Sequence, residues 1–161
     1  MNRQDHRRWA GWEAQIVAAA NVYRRDCQAL IMQAHADPGR QRGPVDFVGV
    51  LDGGVAFWAD AKTSKQGRWQ YSNLAPHQAS QLEAAHDRGA VAGLLIRVGP
   101  AKAQRAWWVS WGELRGDWWR WKEHGGRPAS WTPDDYGTPI PFTDEGLPDF
   151  LGAATAARAA A

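Results

Sequence analysis

A β-hairpin is predicted in Pro44-Val-Asp46-Phe-Val-Gly49-Val-Leu51-Asp-Gly-Gly54-Val-Ala-Phe-Trp58-Ala-Asp60-Ala-Lys62. Two apolar runs, residues 45–51 and 55–61, are separated by an Asp-Gly-Gly loop whose small residues favour a tight turn. A three-residue loop places Asp46 directly opposite Asp60, whereas a two-residue turn would place Asp46 opposite Ala61. Lys62 follows Asp60 by two residues and therefore projects from the same face of its strand.

This group of two carboxylates and one lysine is suited to metal-dependent hydrolysis. Opposed side chains in a hairpin have Cβ atoms about 4.5–5.5 Å apart, so Asp46 and Asp60 could share one divalent cation. Carboxylate oxygens are ligands that Mg²⁺ prefers, and the ion can activate a bound water and stabilise a phosphoryl oxygen. Lys62 would then orient the water or neutralise the phosphate. The alternative is an ordinary hairpin with solvated, charged strand ends.

Glu13 is a candidate third acid of the same site. Residues 3–33 are predicted to form one long helix, because apolar residues recur at intervals of three and four. Glu13 lies on that apolar stripe, where a carboxylate is costly unless it is paired or bound to a metal. The alternatives are a position at the edge of the stripe, or a pair with an arginine such as Arg97. The stripe comprises Trp9, Glu13, Ile16, Ala20, Tyr23, Cys27 and Leu30 or Ile31.

The rest of the chain predicts an α/β sandwich with strands of mixed direction. Pro and Gly make residues 35–43 a loop, and Pro76 can begin a second helix that ends near Asp87. Residues 91–98 are a continuous apolar run, typical of a central strand buried on both faces, and residues 106–110 predict another strand. The resulting order is α-β-β-α-β-β.

Composition excludes several classes of protein. A single cysteine, Cys27, excludes an intramolecular disulfide and a multi-cysteine zinc site. No apolar run approaches the ~18 residues that span a bilayer, so we expect a cytoplasmic protein with no membrane partner. Residues 1–127 hold 18 of the 19 Lys and Arg and 12 of the 17 acidic residues, whereas residues 128–161 hold one and five. A basic body with 15 Arg and only 4 Lys in the whole chain favours a polyanionic partner.

An ordered series of motifs resembles the RecU-type Holliday junction resolvases, a family of the PD-(D/E)xK nuclease superfamily. The resemblance covers roughly residues 8–112. It rests on Gly11-Trp12-Glu13, Tyr23, Ala29-Leu30-Ile31, Pro44-Val-Asp46-Phe-Val-Gly49, Asp60-Ala-Lys62-Thr63, Leu74, His77-Gln78 and the run from Gly89 to Val98. It implies a restriction-endonuclease-like fold, in which a mixed central sheet is flanked by helices.

The resemblance also implies the roles of particular residues. Asp46, Asp60 and Glu13 would be metal ligands, Lys62 the catalytic lysine, and Gln78 a supporting residue of the active site. The cofactor would be Mg²⁺, with Mn²⁺ as a possible substitute, and no small-molecule cofactor is expected. The chain departs from the family pattern in having Asp60 where glutamate is usual. It also has only the short segment 35–43 where the family has a stalk-forming insertion.

Basic residues on either side of the hairpin are predicted to contact DNA phosphates. Arg40 and Arg42 lead into Asp46, whereas Lys65 and Arg68 follow Lys62; each pair could also be an ordinary solvated loop. His77 at the start of the second helix completes the predicted DNA-binding set. The 11 tryptophans are interpreted as core or subunit-interface residues rather than as a platform for stacked bases.

These features predict an enzyme that cuts four-way DNA junctions in pairs. A homodimer is expected, since two symmetric nicks need two equivalent sites. We assign residues 1–126 to one nuclease domain with a core of about 8–112, and residues 127–161 to an acidic, Pro/Gly-rich extension with an Ala-rich end. The alternatives are another DNase of this superfamily, of restriction or repair type, and a non-catalytic DNA-binding module. The host would be a bacterial cell or a phage-infected one.

Overall fold

A six-stranded mixed sheet forms the centre of the molecule in the computed structural model, which describes residues 3–34, 45–99, 105–125 and 128–159. The strand order is β1-β2-β3-β5-β6-β8, and β4 and β7 form a separate two-stranded sheet. The elements are α1 Arg3–Arg25, β1 Ala29–Gln33, β2 Phe47–Leu51, β3 Val55–Ser64, β4 Trp69–Gln70, α2 Pro76–His86, β5 Val91–Val98, β6 Arg105–Ser110, α3 Trp111–His124, β7 Ser130–Trp131, α4 Pro133–Tyr136, β8 Gly137–Ile140 and α5 Phe150–Ala159.

The predicted hairpin and its register are confirmed. Strands β2 and β3 pair antiparallel, with Phe47 opposite Ala59 and Val48 opposite Trp58, as a three-residue loop requires. Continued by one position, this register would place residue 46, which directly precedes β2, opposite residue 60. The loop itself, Asp52–Gly54, is a short 3₁₀ turn in which both glycines have φ of 77°, a conformation that glycine adopts without strain.

The prediction of one helix over residues 3–33 is wrong at its C-terminal end. Helix α1 ends at Arg25, and Cys27 turns the chain with φ of 56°. Residues 29–33 then pair with β2 as an edge strand, with Ala29 and Ile31 buried and Leu30 exposed. Apolar residues in this segment fit a period of two as well as a helical stripe. Residues 29–33 can form a ladder of hydrogen bonds with the free edge of β2. This pairing with a distant strand therefore favours a strand over a helix in this segment.

The second half of the sheet follows the prediction more closely. Helix α2 begins at Pro76, and β5 occupies residues 91–98 and pairs parallel with β3. Helices cover the sheet on two faces. One core cluster joins α1 and α5 to one face, and the other joins α2 and α3 to the opposite face. Because β3 and β5 are parallel, the helix that connects them runs back along the sheet. The N-terminus of α2 therefore lies at the same end of the sheet as the C-terminus of β3.

The C-terminal part of the chain is more ordered than predicted. The segment 127–161, assigned from its composition to an acidic, Pro/Gly-rich extension, contains β8, which pairs with β6 and extends the central sheet. Helix α5 buries Phe150, Ala153 and Ala154 in the core. Strand β8 is only four residues long and includes a proline, so its sequence does not show the alternating apolar pattern of a strand. Its position depends on contacts with distant parts of the chain. The domain boundary at residue 126 stays a prediction based on composition.

The tryptophans lie largely in the core, as expected. Five tryptophans rank among the largest fully buried side chains: Trp12, Trp69, Trp108, Trp111 and Trp118. Trp118 contacts both Trp119 and Trp121, which are half-buried. Among the described residues, no helix has the length and apolar character needed to cross a membrane.

Candidate active site

Asp60 is the centre of the candidate site. It lies on β3, on the face that α2 covers, and it is the one buried charged residue among those described. Its Oδ1 accepts a hydrogen bond from Gln78 Nε2 at 2.9 Å. Its Oδ2 lies 2.5 Å from Lys62 Nζ, an ion pair without regular hydrogen-bond geometry. Because the Asp60 carboxylate is fully buried, only the side chains of Gln78 and Lys62 offset the free-energy cost of removing it from water.

Asp46 lies beside Asp60 at the start of the hairpin. Its Oδ2 accepts a hydrogen bond from the backbone N–H of Ala61 at 2.8 Å, and its own carbonyl accepts one from the N–H of Ala34 at 2.7 Å. These two bonds join Asp46 to β3 on one side and to the end of β1 on the other. The predicted juxtaposition of Asp46 and Asp60 is therefore present, and the side chain of Asp46 remains half-buried.

Lys62 and Gln78 complete a bonded group around Asp60. Lys62 Nζ donates a hydrogen bond to Gln78 Oε1 at 3.2 Å while it pairs with Asp60. Gln78 Oε1 also accepts from the backbone N–H of Ala75 at 3.1 Å, which caps the first turn of α2. The amide of Gln78 therefore uses its oxygen on Lys62 and its nitrogen on Asp60. The N-terminus of α2 fixes both ends of the ion pair.

Burial changes the acid strength of Asp60. Desolvation raises the pKa of the Asp60 carboxyl from 3.8 to about 6; the positive charge of Lys62 opposes this rise, and the negative charge of Asp46 adds to it. The site therefore holds more negative charge than Lys62 alone neutralises. An additional cation at Asp60 and Asp46 would relieve that imbalance.

The carboxylate oxygens of Asp46 and Asp60 suit a divalent metal ion. Asp60 Oδ2 has no polar partner besides the Lys62 ammonium among the described residues, and Asp46 supplies a second carboxylate next to it. Hard oxygen ligands of this kind suit Mg²⁺, which keeps several waters and needs few protein ligands. Asp46 and Asp60 are thus the residues that would hold the ion.

Glu13 occupies a different position from these residues. It projects from α1, and its Oε2 accepts a hydrogen bond from Gln33 Nε2 at 2.7 Å. Over the described part of the chain, no three His, Cys, Asp or Glu side chains lie close enough together to hold a metal ion. The structure therefore brings together Asp46, Asp60, Lys62 and Gln78, and it does not group Glu13 with the two aspartates. Glu13 does share the sheet edge, because its partner Gln33 is paired with Phe47.

Two glutamines of this region were missed by sequence reasoning. Gln33 lay inside the predicted first helix, so its contact with Glu13 could not be expected. Gln81 shares a helix face with Gln78, and its Oε1 accepts a hydrogen bond from the backbone N–H of Val45 at 3.1 Å. Val45 is fully buried and directly precedes Asp46. The i, i+3 spacing of the glutamines was visible in the sequence, but the backbone partner of Gln81 was not.

The predicted DNA contacts are described in part. Arg40 and Arg42 lie outside the described residues. Lys65 and Arg68 are exposed beyond the end of β3, and Arg68 Nε donates to Ser130 Oγ at 3.2 Å. His77 is half-buried in the first turn of α2, and its Nδ1 is buried without a hydrogen-bond partner among the described residues. Three of the five predicted contacts thus lie near the Lys62 end of the site.

Comparison with solved structures confirms the predicted fold class, a restriction-endonuclease-like mixed sheet flanked by helices. The chain is similar to Archaeoglobus fulgidus Hjc, described as a Holliday junction resolvase from an archaeal hyperthermophile. The identity is 12%, the match covers 81% of this chain and 94% of that chain, and the TM-score is 0.50.

Sequence comparison identifies the family. A search of curated proteins found no match. The model of the family RecU, recombination protein U, matches residues 13–131, a span that includes Glu13, Asp46, Asp60, Lys62 and Gln78. The match extends over well over half of the 161 residues, and the chain therefore belongs to the RecU family.

Proposed function

We propose that this protein is a structure-selective endonuclease that resolves four-way (Holliday) DNA junctions by paired, metal-dependent hydrolysis of phosphodiesters. Membership of the RecU family supports this function. The structural observation that carries the proposal is the fully buried Asp60, held between Lys62 and Gln78 and adjacent to Asp46. Burying a carboxylate costs stability, and proteins concentrate such groups at sites of catalysis.

We assign each residue of the site a separate role in hydrolysis. Mg²⁺ or Mn²⁺ bound by Asp46 and Asp60 would supply an activated water and stabilise charge on the phosphoryl group. The Lys62 ammonium contacts the Asp60 carboxylate directly, so we assign it to orienting the water or neutralising the phosphate. Gln78 keeps Lys62 and Asp60 in place through its two polar atoms. We retain Glu13, with Gln33, as the acid that α1 contributes to the same edge of the sheet.

Recognition of the junction is assigned to charge and shape. Lys65, Arg68 and His77 lie after β3 or at the start of α2, where backbone phosphates would approach Lys62. Arg40 and Arg42 are proposed to contact phosphates on the other side of the hairpin. None of these contacts requires base-specific hydrogen bonds, so selectivity would come from the geometry of the junction. We propose that the protein acts as a homodimer in the cytoplasm of a bacterial or phage-infected cell.

Cleavage of a synthetic four-way junction, compared with a linear duplex of the same sequence, tests this function. We expect paired symmetric nicks in the junction with Mg²⁺ or Mn²⁺ and no cleavage with EDTA. Denaturing gels with each strand labelled in turn give the position and pairing of the nicks. Equal cutting of the duplex would leave a general DNase and contradict junction selectivity. Tight binding of the junction without cleavage under either metal would indicate a binding module and contradict the catalytic assignments.

Gln81 provides a separate prediction about how Asp46 is positioned. Gln81→Met removes the acceptor for the Val45 N–H while nearly keeping side-chain size, and leaving that buried donor unpaired costs about 1–3 kcal/mol. We expect about a tenfold slower cleavage and a higher Mg²⁺ concentration for half-maximal rate. Gln81→Glu keeps an acceptor oxygen and should retain the wild-type metal requirement.

Single-turnover cleavage over a Mg²⁺ titration provides the measurement for Gln81. Ser80→Ala, on the exposed neighbour in α2, is the matched control and should behave as wild type. If Gln81→Met slows cleavage with no change in metal requirement, Gln81 supports the fold and does not position Asp46.

A further inference from the structure

An arginine stacked on a tryptophan lies at the same end of the sheet as the candidate active site. Arg105 is the first residue of β6, and its Cζ atom lies 5.2 Å from the centre of the Trp107 ring. Arg105 is exposed, whereas Trp107 is buried. In the part of the chain that the structure describes, no carboxylate or other hydrogen-bond acceptor pairs with Arg105, and the indole ring is its partner.

The strand register places Arg105 on the same face of the sheet as Lys62. Lys62 is paired with Ile96 on β5, and Ile96 with Trp107 on β6. These three residues form one row across the strands, and paired residues share a face. Arg105 precedes Trp107 by two residues, so it projects from that face one row nearer the ends of the strands. Lys62 and Arg105 are therefore cations on one face, at one end of the sheet.

A turn that carries two further cations lies between these residues. Val98 on β5 is paired both with Arg105 and with Ser64, the last residue of β3. The turn after Ser64 covers Val98, since a Cβ at Gly67 would lie 3.9 Å from Val98 Cγ1. This turn includes both basic residues that we assign to phosphate contacts after β3. Arg105 continues this series of cations onto β6.

The C-terminal region fixes the tryptophan that supports Arg105. Trp107 Nε1 donates a hydrogen bond to Asp134 Oδ1 at 3.2 Å, on the short helix α4. The backbone of Trp107 is paired with Pro139 on β8. These contacts hold the ring in one place, so it is a fixed support for the guanidinium. The region after residue 127, which the proposed function leaves without a role, thereby helps to shape the basic surface.

Stacking prepares the guanidinium of Arg105 for a phosphate group. A cation–π contact uses the flat face of the guanidinium and leaves the N–H donors in its plane available to a ligand. Two of these donors match two oxygens of one phosphate. A guanidinium that is already held on a ring loses less side-chain entropy on binding than a free one. The neighbouring cations favour a polyanion such as DNA over a single carboxylate.

We propose that Arg105, held on Trp107, binds a backbone phosphate of the DNA strand on which Lys62 acts, about three nucleotides from the cleaved bond. Adjacent strands are about 4.8 Å apart, so β6 lies about 10 Å from β3. Each strand of a duplex carries one phosphate about every 3.4 Å along its axis. The inference rests on the proposed function, since it takes the cleaved phosphate to lie at Lys62. It extends the DNA-binding surface from β3 to β6.

The salt dependence of junction binding tests this contact. Loss of one phosphate contact should reduce the slope of log K against log salt concentration by about one in Arg105→Gln, and binding should be about tenfold weaker. Fluorescence anisotropy of a labelled four-way junction in EDTA, over a series of KCl concentrations, gives both quantities. Arg105→Lys keeps the charge but not the planar fork, so it should restore the slope and only part of the affinity.

Arg24→Gln is the matched control for this titration. It removes the same charge from an exposed position at the C-terminal end of α1. The strand that follows this helix begins beside the hairpin loop, at the opposite end of the sheet from Asp60. The control should therefore keep the wild-type slope and affinity. A wild-type slope for Arg105→Gln would overturn the proposal.

A junction with a single neutral phosphate locates the contact. Methylphosphonate linkages, placed one at a time from one to five nucleotides from the cleaved bond, each remove one charge. The linkage about three nucleotides away should weaken binding of the wild type about tenfold and change binding of Arg105→Gln less than about twofold. Equal losses for the two proteins at every position would contradict the contact.

The proposed function and the Arg105 contact can fail separately. A junction that is bound with an Arg105-dependent salt slope but is never cleaved with Mg²⁺ or Mn²⁺ would support the phosphate contact and refute the nuclease. Paired cleavage by the wild type, together with an unchanged slope in Arg105→Gln, would support the nuclease and refute the contact.

Discussion

Asp60→Asn is expected to lower the rate of junction cleavage by about 10³-fold or more, since the loss of one metal-binding carboxylate removes several kcal/mol of transition-state stabilisation. Asparagine has nearly the same volume, and its carbonyl oxygen can still accept the hydrogen bond from Gln78 Nε2. The fold should therefore be retained. Single-turnover cleavage with saturating protein measures the chemical step, and gel-shift titration in EDTA should show unchanged junction binding. Cleavage within tenfold of the wild type would remove Asp60 from the active site.

The same variant should become relatively more stable as the pH rises. The folded protein holds the proton of Asp60 up to a pKa of about 6, against 3.8 for the ordinary carboxyl. Ionisation between pH 4 and pH 7 therefore costs the wild type stability that Asp60→Asn does not lose, a difference of about 3 kcal/mol over that range. Urea unfolding in EDTA at several pH values measures the difference. A constant difference between pH 4 and pH 8 would mean that burial of the carboxylate is not costly.

The hairpin and the candidate catalytic residues on it could be located from the sequence because their geometry is local. The number of loop residues between β2 and β3 fixes which residues are opposite, and Asp46 and Asp60 follow from that register. Lys62 follows from strand alternation. Gln78 was assigned to the site by the family resemblance alone, and the structure places its side-chain amide in hydrogen bonds with Lys62 and Asp60.

Contacts between distant parts of the chain could not be predicted in this way. The segment 29–33 has apolar residues that suit a helix or a strand, and its strand partner β2 lies more than a dozen residues further along the chain, where no local pattern points to the pairing. Misplacing it concealed Gln33 and therefore the hydrogen bond that Glu13 makes. One wrong boundary thus removed from view the partner of a catalytic candidate.

The C-terminal elements show a second limit of local reasoning. Residues 137–140 include Gly137 and Pro139, which disfavour a strand, yet they pair with β6 as β8. An edge position tolerates a proline, because one side of the strand needs no hydrogen-bond donors. Gly137 fits closely, since a Cβ there would lie 2.5 Å from the carbonyl oxygen of Pro133 and 3.0 Å from the Trp107 side chain. Composition indicated a loop where packing against Trp107 produces a strand.

Lys62→Met is expected to have opposite effects on cleavage and on metal binding. Lys62 Nζ lies 2.5 Å from Asp60 Oδ2, the oxygen that lacks any other donor among the described residues and is available to a metal ion. Removing the ammonium removes a positive charge that repels the metal, so Mn²⁺ affinity in the absence of DNA should rise at least about threefold. Cleavage should fall about 10²-fold or more, because no other ammonium contacts the carboxylate pair in the described structure.

Isothermal titration with Mn²⁺ and single-turnover cleavage separate these two effects of Lys62. Lys122→Met, at an exposed position on α3, is the matched control and should leave both quantities unchanged. If Mn²⁺ binding weakens together with cleavage, Lys62 serves to hold the carboxylates in place and is not the catalytic lysine. If binding tightens while cleavage is lost, the ammonium acts on the reacting phosphate or water, because a better-bound metal alone would have preserved the rate.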